Sequence, residues 1–328
     1  MTEATVFQAV QIGVESQHGS PVAADLILPT LELEPQPQGN TTELRASGRK
    51  TPRGYLLNSD HMQSAIKGGM TYNEIVYLLA SLFDYSAPTL NTTLSYTWPF
   101  GTDDDGEDVF ASYTIEHGSG QARRWAYNVL TGLDITFKKN ASPDGSGTMI
   151  GQEQTEGITR TESPTEIAVV PILPTHLTVY VADTAAGLDA ADACGSFEVK
   201  WSTKDRRGPV WTLDASEASF TKTVEKRFDM TMEVLLEADA AGMALLENLR
   251  DGETKFIRIE AIGAEIETGY YYELTIDMAG QVKTMPALAD AEGVYAVRWT
   301  MGMVHDETWG KGFEATVVNT LGSLSDGS

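Results

Sequence analysis

A single cysteine, Cys194, occurs in 328 residues, so no internal disulfide can form and burial and hydrogen bonding alone must hold the fold. Basic side chains are scarce: 23 Lys and Arg stand against 47 Asp and Glu, a formal charge of −24. Proteins that grip nucleic acid neutralise phosphates with cations, so tight wrapping of DNA or RNA over a large surface is excluded. No run of about 18 apolar residues exists. The longest apolar stretches, near Ile75–Phe83 and Val169–Leu173, are too short to cross a bilayer, and no membrane anchor is expected. Residues Met1–Thr5 offer neither a basic nor an apolar leader, which points to synthesis in the cytoplasm and agrees with the lone cysteine.

Signatures of catalysis are missing as well. There is no GxSxG elbow, no phosphate-binding loop and no dinucleotide fingerprint. His18, His61, His117, His176 and His305 are scattered, with no HxH or HExxH pair to hold zinc, and nothing places a base beside Cys194. The acidic run Asp103–Asp108 invites a calcium reading, but aligning Gly106 with the invariant glycine of an EF-hand loop puts Gly101 at the first ligand position and Ser112 at the bidentate glutamate. A hairpin tip in solvent is the better reading. The sequons at Asn40, Asn91 and Asn140 are turn composition. No enzymatic activity, cofactor or metal is expected. A carbohydrate-active β enzyme with its carboxylate pair hidden among the acids stays open as an alternative.

What is present is an ordered chain, 41% apolar and 9% aromatic, long enough for one large or two ordinary domains. Residues 1–44 and 68–122 contain no Lys or Arg, while bases cluster at Arg45–Lys67, Arg123-Arg124, Lys138-Lys139 and Lys200–Arg207, a pattern that allows self-complementation. Thr71–Phe83 reads as one amphipathic helix: Thr71 and Glu74 make a capping box, and Ile75, Leu78, Leu79 and Leu82 recur at i, i+3, i+4 and i+7. Strands are expected at Leu94–Phe100, Val109–His117 and Trp125–Lys138, with Asn140–Gly147 as an exposed turn. Residues 1–45, with Pro35, Pro37 and Gly39, read as an extended arm.

The second half echoes the first. Thr114-Ile115-Glu116 recurs as Thr275-Ile276-Asp277, and Gly120-Gln121-Ala122-Arg123 as Gly280-Gln281-Val282-Lys283. Leu78-Leu79 recurs as Leu245-Leu246, and Tyr127-Asn128-Val129 as Tyr295-Ala296-Val297. The expected organisation is therefore an arm (1–45), a first domain (46–165), a second domain repeating it (166–305) and a C-terminal extension (306–328). The fold class is mainly β with α+β character: two tandem β-sandwich or half-barrel units, each flanked by one helix.

The stretch Gly13-Val14-Glu15-Ser16-Gln17-His18-Gly19-Ser20-Pro21-Val22-Ala23-Ala24 resembles the opening of tail tube proteins of long-tailed bacteriophages, in which a glutamate precedes a small turn. An extended segment, a Gly-rich strand entering a helix (Ser64–Phe83) and a strand pair ending in Leu130–Phe137 before Gly147–Gly151 follow in the same order. The likeness covers most of residues 1–155 and, through the repeat, reaches about residue 304. It implies a structural virion protein, assembled in the host cytoplasm and residing in the tail. Its rings stack into a hollow tube through which DNA passes without tight binding. Partners implied are other copies of the chain, the tape-measure protein, and terminator or tip proteins. The duplication would let three chains make a pseudo-six-fold ring. Glu15, Gly19 and Pro21 are expected in an inter-subunit arm, and Glu116 and Asp277 are candidates to face the bore. A capsid decoration or tail-tip subunit is the alternative within the same class.

Overall fold

Alternating apolar and polar residues set up most strands; in Leu31–Glu34 the two leucines are buried and the two glutamates exposed. A computed structural model describes residues 10–102, 106–118, 122–213, 218–227, 229–238, 252–284 and 287–325. In it the first half supplies β1 (Gln11–Val14), β2 (Leu26–Ile27), β3 (Leu31–Leu44) and β4 (Gly54–Gly69) before the helix α1 (Ile75–Leu82). Then come β5 (Asp84–Tyr85), β6 (Thr89–Leu90), β7 (Tyr96–Gly101), β8 (Tyr113–His117), β9 (Ala122–Lys138) and β10 (Ala141–Gly151). β11 (Gln154–Ile158) and β12 (Thr165–Glu166) lead to β13 (Leu177–Ala182), β14 (Ser196–Lys204), β15 (Arg207–Val210), β16 (Lys222–Glu225) and β17 (Asp229–Glu237). The chain finishes with β18 (Lys255–Glu267), β19 (Tyr270–Val282), β20 (Ala287–Ala291), β21 (Val294–Met303) and β22 (Phe313–Asn319). The protein is mainly β with α+β character.

Eight strands lie side by side, all antiparallel, in the order β3–β4–β10–β9–β14–β17–β21–β20. The first four and the last four share one plan. An early antiparallel pair (β3–β4, β14–β17) contributes its second strand to pair with the second strand of a later hairpin (β9–β10, β20–β21). A second layer runs β13–β18–β19–β22–β7, so a first-half strand closes a second-half sheet. A third runs β12–β2–β1–β8–β9–β11. One buried cluster threads all three, from Val10 to Leu324, with residues of both halves in it.

The helix forms where its periodicity places it, but it is not half-exposed. All eight residues of α1 are buried, at about 2 kcal/mol for each large aliphatic side chain taken from water. The Thr71 hydroxyl accepts from the Glu74 N–H at 3.0 Å, half of the anticipated capping box. The Glu74 carboxylate turns instead to Thr30, accepting from its N–H at 2.9 Å and from its hydroxyl, and so pins the helix entrance to the start of β3.

Several expectations need correction. The 1–45 arm is a core element from Val10 to Leu33: Ile12, Leu26, Leu28, Leu31 and Leu33 are all buried. The 306–328 extension contributes β22 and the buried Leu321 and Leu324. Asn140–Gly147 is mostly strand, because β4 and β9 flank it and satisfy its backbone. The segments matched in sequence also differ in conformation. Thr114 and Arg123 stand on separate strands, β8 and β9, whereas Thr275–Val282 is one unbroken stretch of β19. Leu245-Leu246 lies outside the described residues, as do Asp103–Asp105 of the acidic run.

Candidate assembly interface

The contact between β9 and β14 joins the two four-strand groups, with Lys138 opposite Glu198 and Leu133 opposite Thr203 at its ends. Its core face is built from Leu133, Ile135 and Phe137 against Val199, Trp201 and Thr203, all buried. Its other face is polar and crossed by ion pairs, Lys138 with Glu198 and Lys200 with Asp134, each at 3.8 Å. Gly132 permits the close approach: a Cβ there would sit 2.9 Å from the Thr203 carbonyl oxygen.

The link between β14 and β17 straps this joint down. Arg206 and Arg207, both 3% exposed, reach into the first half. Arg206 pairs with the buried Asp108 and donates from Nε to the Leu82 carbonyl at 3.2 Å, at the end of α1. Such a cation satisfies carbonyls that a helix C-terminus leaves open. Arg207 pairs with Glu225 at 2.8 Å and lies 3.7 Å above the Phe110 ring. Burial lowers the Arg207 pKa, and Glu225 and Asp108 oppose that shift. Further along, Phe220 packs on Tyr127, its carbonyl accepts from Gln152 at 2.9 Å, and Ala218 accepts from the Asp60 N–H at 3.0 Å. Asp108 was read from sequence as part of a solvent-exposed tip; it is the buried counter-ion of the strap.

At the two ends of the eight-strand run stand unmatched edges. Among the described residues β3 pairs only with β4, and β20 only with β21. The run's polar face carries Glu32, Glu34, Asp134, Asp144, Glu198 and Glu233. On it Lys67, Lys138, Lys200 and Arg298 are each paired with a carboxylate, for example Lys67 with Glu34 at 3.0 Å. Cations held in this way by carboxylates offer little to phosphates.

The residues singled out from sequence sit elsewhere. Glu15 is buried and accepts four hydrogen bonds: from Gly19 N–H, Tyr127 N–H, Thr114 Oγ1 and Ser112 Oγ at 2.7–2.9 Å. It fastens β1 to the bend of β9, where Tyr127 has φ 52°, and so belongs to the interior of its own subunit. Gly19, at φ +78°, makes the turn that returns its N–H to Glu15; Pro21 is exposed. Glu116 is buried and accepts from the Thr161 N–H at 2.7 Å. Asp277 is buried and grips Arg258 in a two-pronged pair at 2.8 Å, with burial raising its pKa and Arg258 opposing. Glu116 is enclosed within β8, which is buried on both faces, and the Asp277 carboxylate is committed to Arg258 within its own subunit. The polar-face residues were missed because strand alternation assigns side chains to two faces without saying which is covered.

Three histidines respond to acid in the same direction. His18 stacks on Phe110 at 4.3 Å and takes a hydrogen bond partner in Ser112 at 2.9 Å. Burial lowers its pKa below 6.5, Glu15 opposes, and Arg207 lowers it further. Burial likewise lowers His61 and His117. Each binds its proton more readily when unfolded, so the stability they support is complete above 6.5 and is lost as pH falls through the depressed folded values. Melting at about pH 5 should therefore occur below the neutral midpoint, and His18→Gln should flatten part of that dependence. A slope unchanged by His18→Gln would refute its share.

Among the described residues no group of three His, Cys, Asp or Glu side chains is placed to hold a metal ion, and no helix is long and apolar enough to cross a membrane. No protein-family model and no curated protein sequence matches the chain.

Proposed function

We propose that this chain is a structural subunit of the bacteriophage tail tube class, polymerising head to tail into rings that stack around a bore through which DNA passes. The observation that carries the reading is the repeated four-strand plan joined by β9–β14. The last strand of one group, β9, meets the first strand of the next, β14, inside the chain, and the same two kinds of edge, β20 and β3, are left free outside it among the described residues. Edge-to-edge pairing of β20 with β3 of a neighbour continues the sheet, and because the two edges differ the contact is heterologous and generates rings. The polar face then lines the bore, net acidic and with Lys67, Lys138, Lys200 and Arg298 paired, so that phosphates slide instead of binding. Each chain contributes eight strands, and three chains complete the pseudo-six-fold ring.

Negative-stain electron microscopy of purified protein should show annular or tubular particles with three chains per ring. Leu288, 69% exposed on β20, should tolerate lysine without loss of folding by circular dichroism, while Leu288→Lys shifts sedimentation from rings to monomers. Solid or strictly monomeric particles from the parent chain would reject the reading, as would six chains per ring for the stoichiometry. Attachment to a tape-measure or terminator protein is part of the same proposal and is tested by co-assembly.

A further inference from the structure

We infer that residues 39–59, the outer part of the β3–β4 hairpin, dock on the second half of a neighbouring copy as residues 205–213 and 218–227 dock on the first half within the chain. The inference rests on the head-to-tail joint proposed above.

The two segments hold the same place in the plan, each closing the first antiparallel pair of its four-strand group, and they are of similar length. The inner one has found its surface: Arg206, Arg207 and Phe220 are buried against the preceding group. The outer one has not. Beyond Asp60 the hairpin projects with Tyr55 66%, Leu56 52%, Leu57 60% and Leu44 42% exposed. A cluster of large apolar side chains on a projecting hairpin marks a contact surface.

The location of the contact follows from the inner example. There the strap crosses β4 at Asp60 and the residue after β10, Gln152. The corresponding strands of the second group are β17, which begins at Asp229, and β21, which ends at Met303. Gly302 of β21 pairs with Thr231 of β17, so these ends are adjacent. Asp229, held by Lys283 at 2.6 Å, lies there with Glu307 just beyond. The hairpin segment is basic, Arg45, Arg49, Lys50 and Arg53 against Glu43 giving +3, in a chain whose remainder is at −27. The occupant is therefore a second copy of this chain.

The test mixes two single-cysteine chains in a Cys194→Ser background, one bearing Leu56→Cys and the other Asp229→Cys, and treats the assembled material with a short bis-maleimide. A heterodimer at least about tenfold more abundant than with Asp144→Cys, on the polar face, supports the placement. Tyr55→Ala/Leu57→Ala, at exposed positions, should raise the half-assembly concentration about 30-fold. Rings that persist with neither the preferential cross-link nor the concentration shift would overturn the docking while leaving the edge-to-edge joint standing. A parent chain that is monomeric by sedimentation overturns both.

Discussion

Asp108→Ala is expected to lower the unfolding free energy by about 3–5 kcal/mol, because it removes the paired carboxylate from a buried cation. Arg206 and Asp108 are 3% and 5% exposed, so water cannot replace the lost carboxylate, and Arg207 keeps only Glu225 as its close counter-ion. The loss spreads to the joint: Arg206 N–H also donates to the Thr131 carbonyl at 2.9 Å, and its side chain seals the end of α1. Urea denaturation measures the effect directly. The double variant Asp108→Leu/Arg206→Met should recover much of it, since an apolar pair incurs no charge desolvation. A single-variant cost under about 1 kcal/mol would show that the strap is held mainly by Phe220 and the backbone contacts instead.

Deleting residues 1–25 should abolish cooperative folding. From sequence this stretch reads as an arm whose removal spares the fold and impairs polymerisation only. In the structure β1 is an interior strand, with β2 on one side and β8 on the other. The deletion removes Val10, Ile12 and Ala24 from the core and leaves the donors of Ser112, Thr114 and Tyr127 without Glu15. Each large buried aliphatic contributes about 2 kcal/mol or more and each stranded buried donor costs about 1–3, against a typical total stability of about 5–15 kcal/mol. Circular dichroism melts read the outcome, and a soluble truncation with a sharp transition near that of the parent would show that β1 is dispensable.

The helix and the long strand β9 were legible in the sequence, because Ile75, Leu78, Leu79 and Leu82 fit one period and Trp125–Lys138 is rich in strand formers. Ala141–Gly151 was not, since its Pro143, Asp144 and Gly145 favour a turn until two neighbouring strands override that preference. Pro35 and Pro37 likewise suggested a loop; within the chain they are tolerated because β3 is an edge, and a joint with β20 of a neighbour has to draw its ladder donors from the other residues of β3. The repeated plan escaped residue matching because the corresponding strands differ in length and spacing, and only their pairing order exposes it. Glu15 was noticed for a surface role and is a buried clamp, a distinction that depends on Ser112, Thr114 and Tyr127, over 90 residues away.

The pairing of β22 with β7 also sets a timetable. Trp98 donates from Nε1 to Asn319 Oδ1 at 3.2 Å and to the Leu321 carbonyl at 3.0 Å, and the Asn319 side-chain amide donates to the Tyr72 carbonyl at 3.0 Å. The Trp98 and Asn319 partners are 221 residues apart in the chain. At about 5–20 residues per second a ribosome needs roughly 10–40 s to cover that distance. Throughout that interval the entrance of α1 and the outer edge of β7 stay open, so the halves cannot mature in succession. The nascent first half waits as incompletely covered β structure until β22 is made, which lengthens its exposure to aggregation during synthesis.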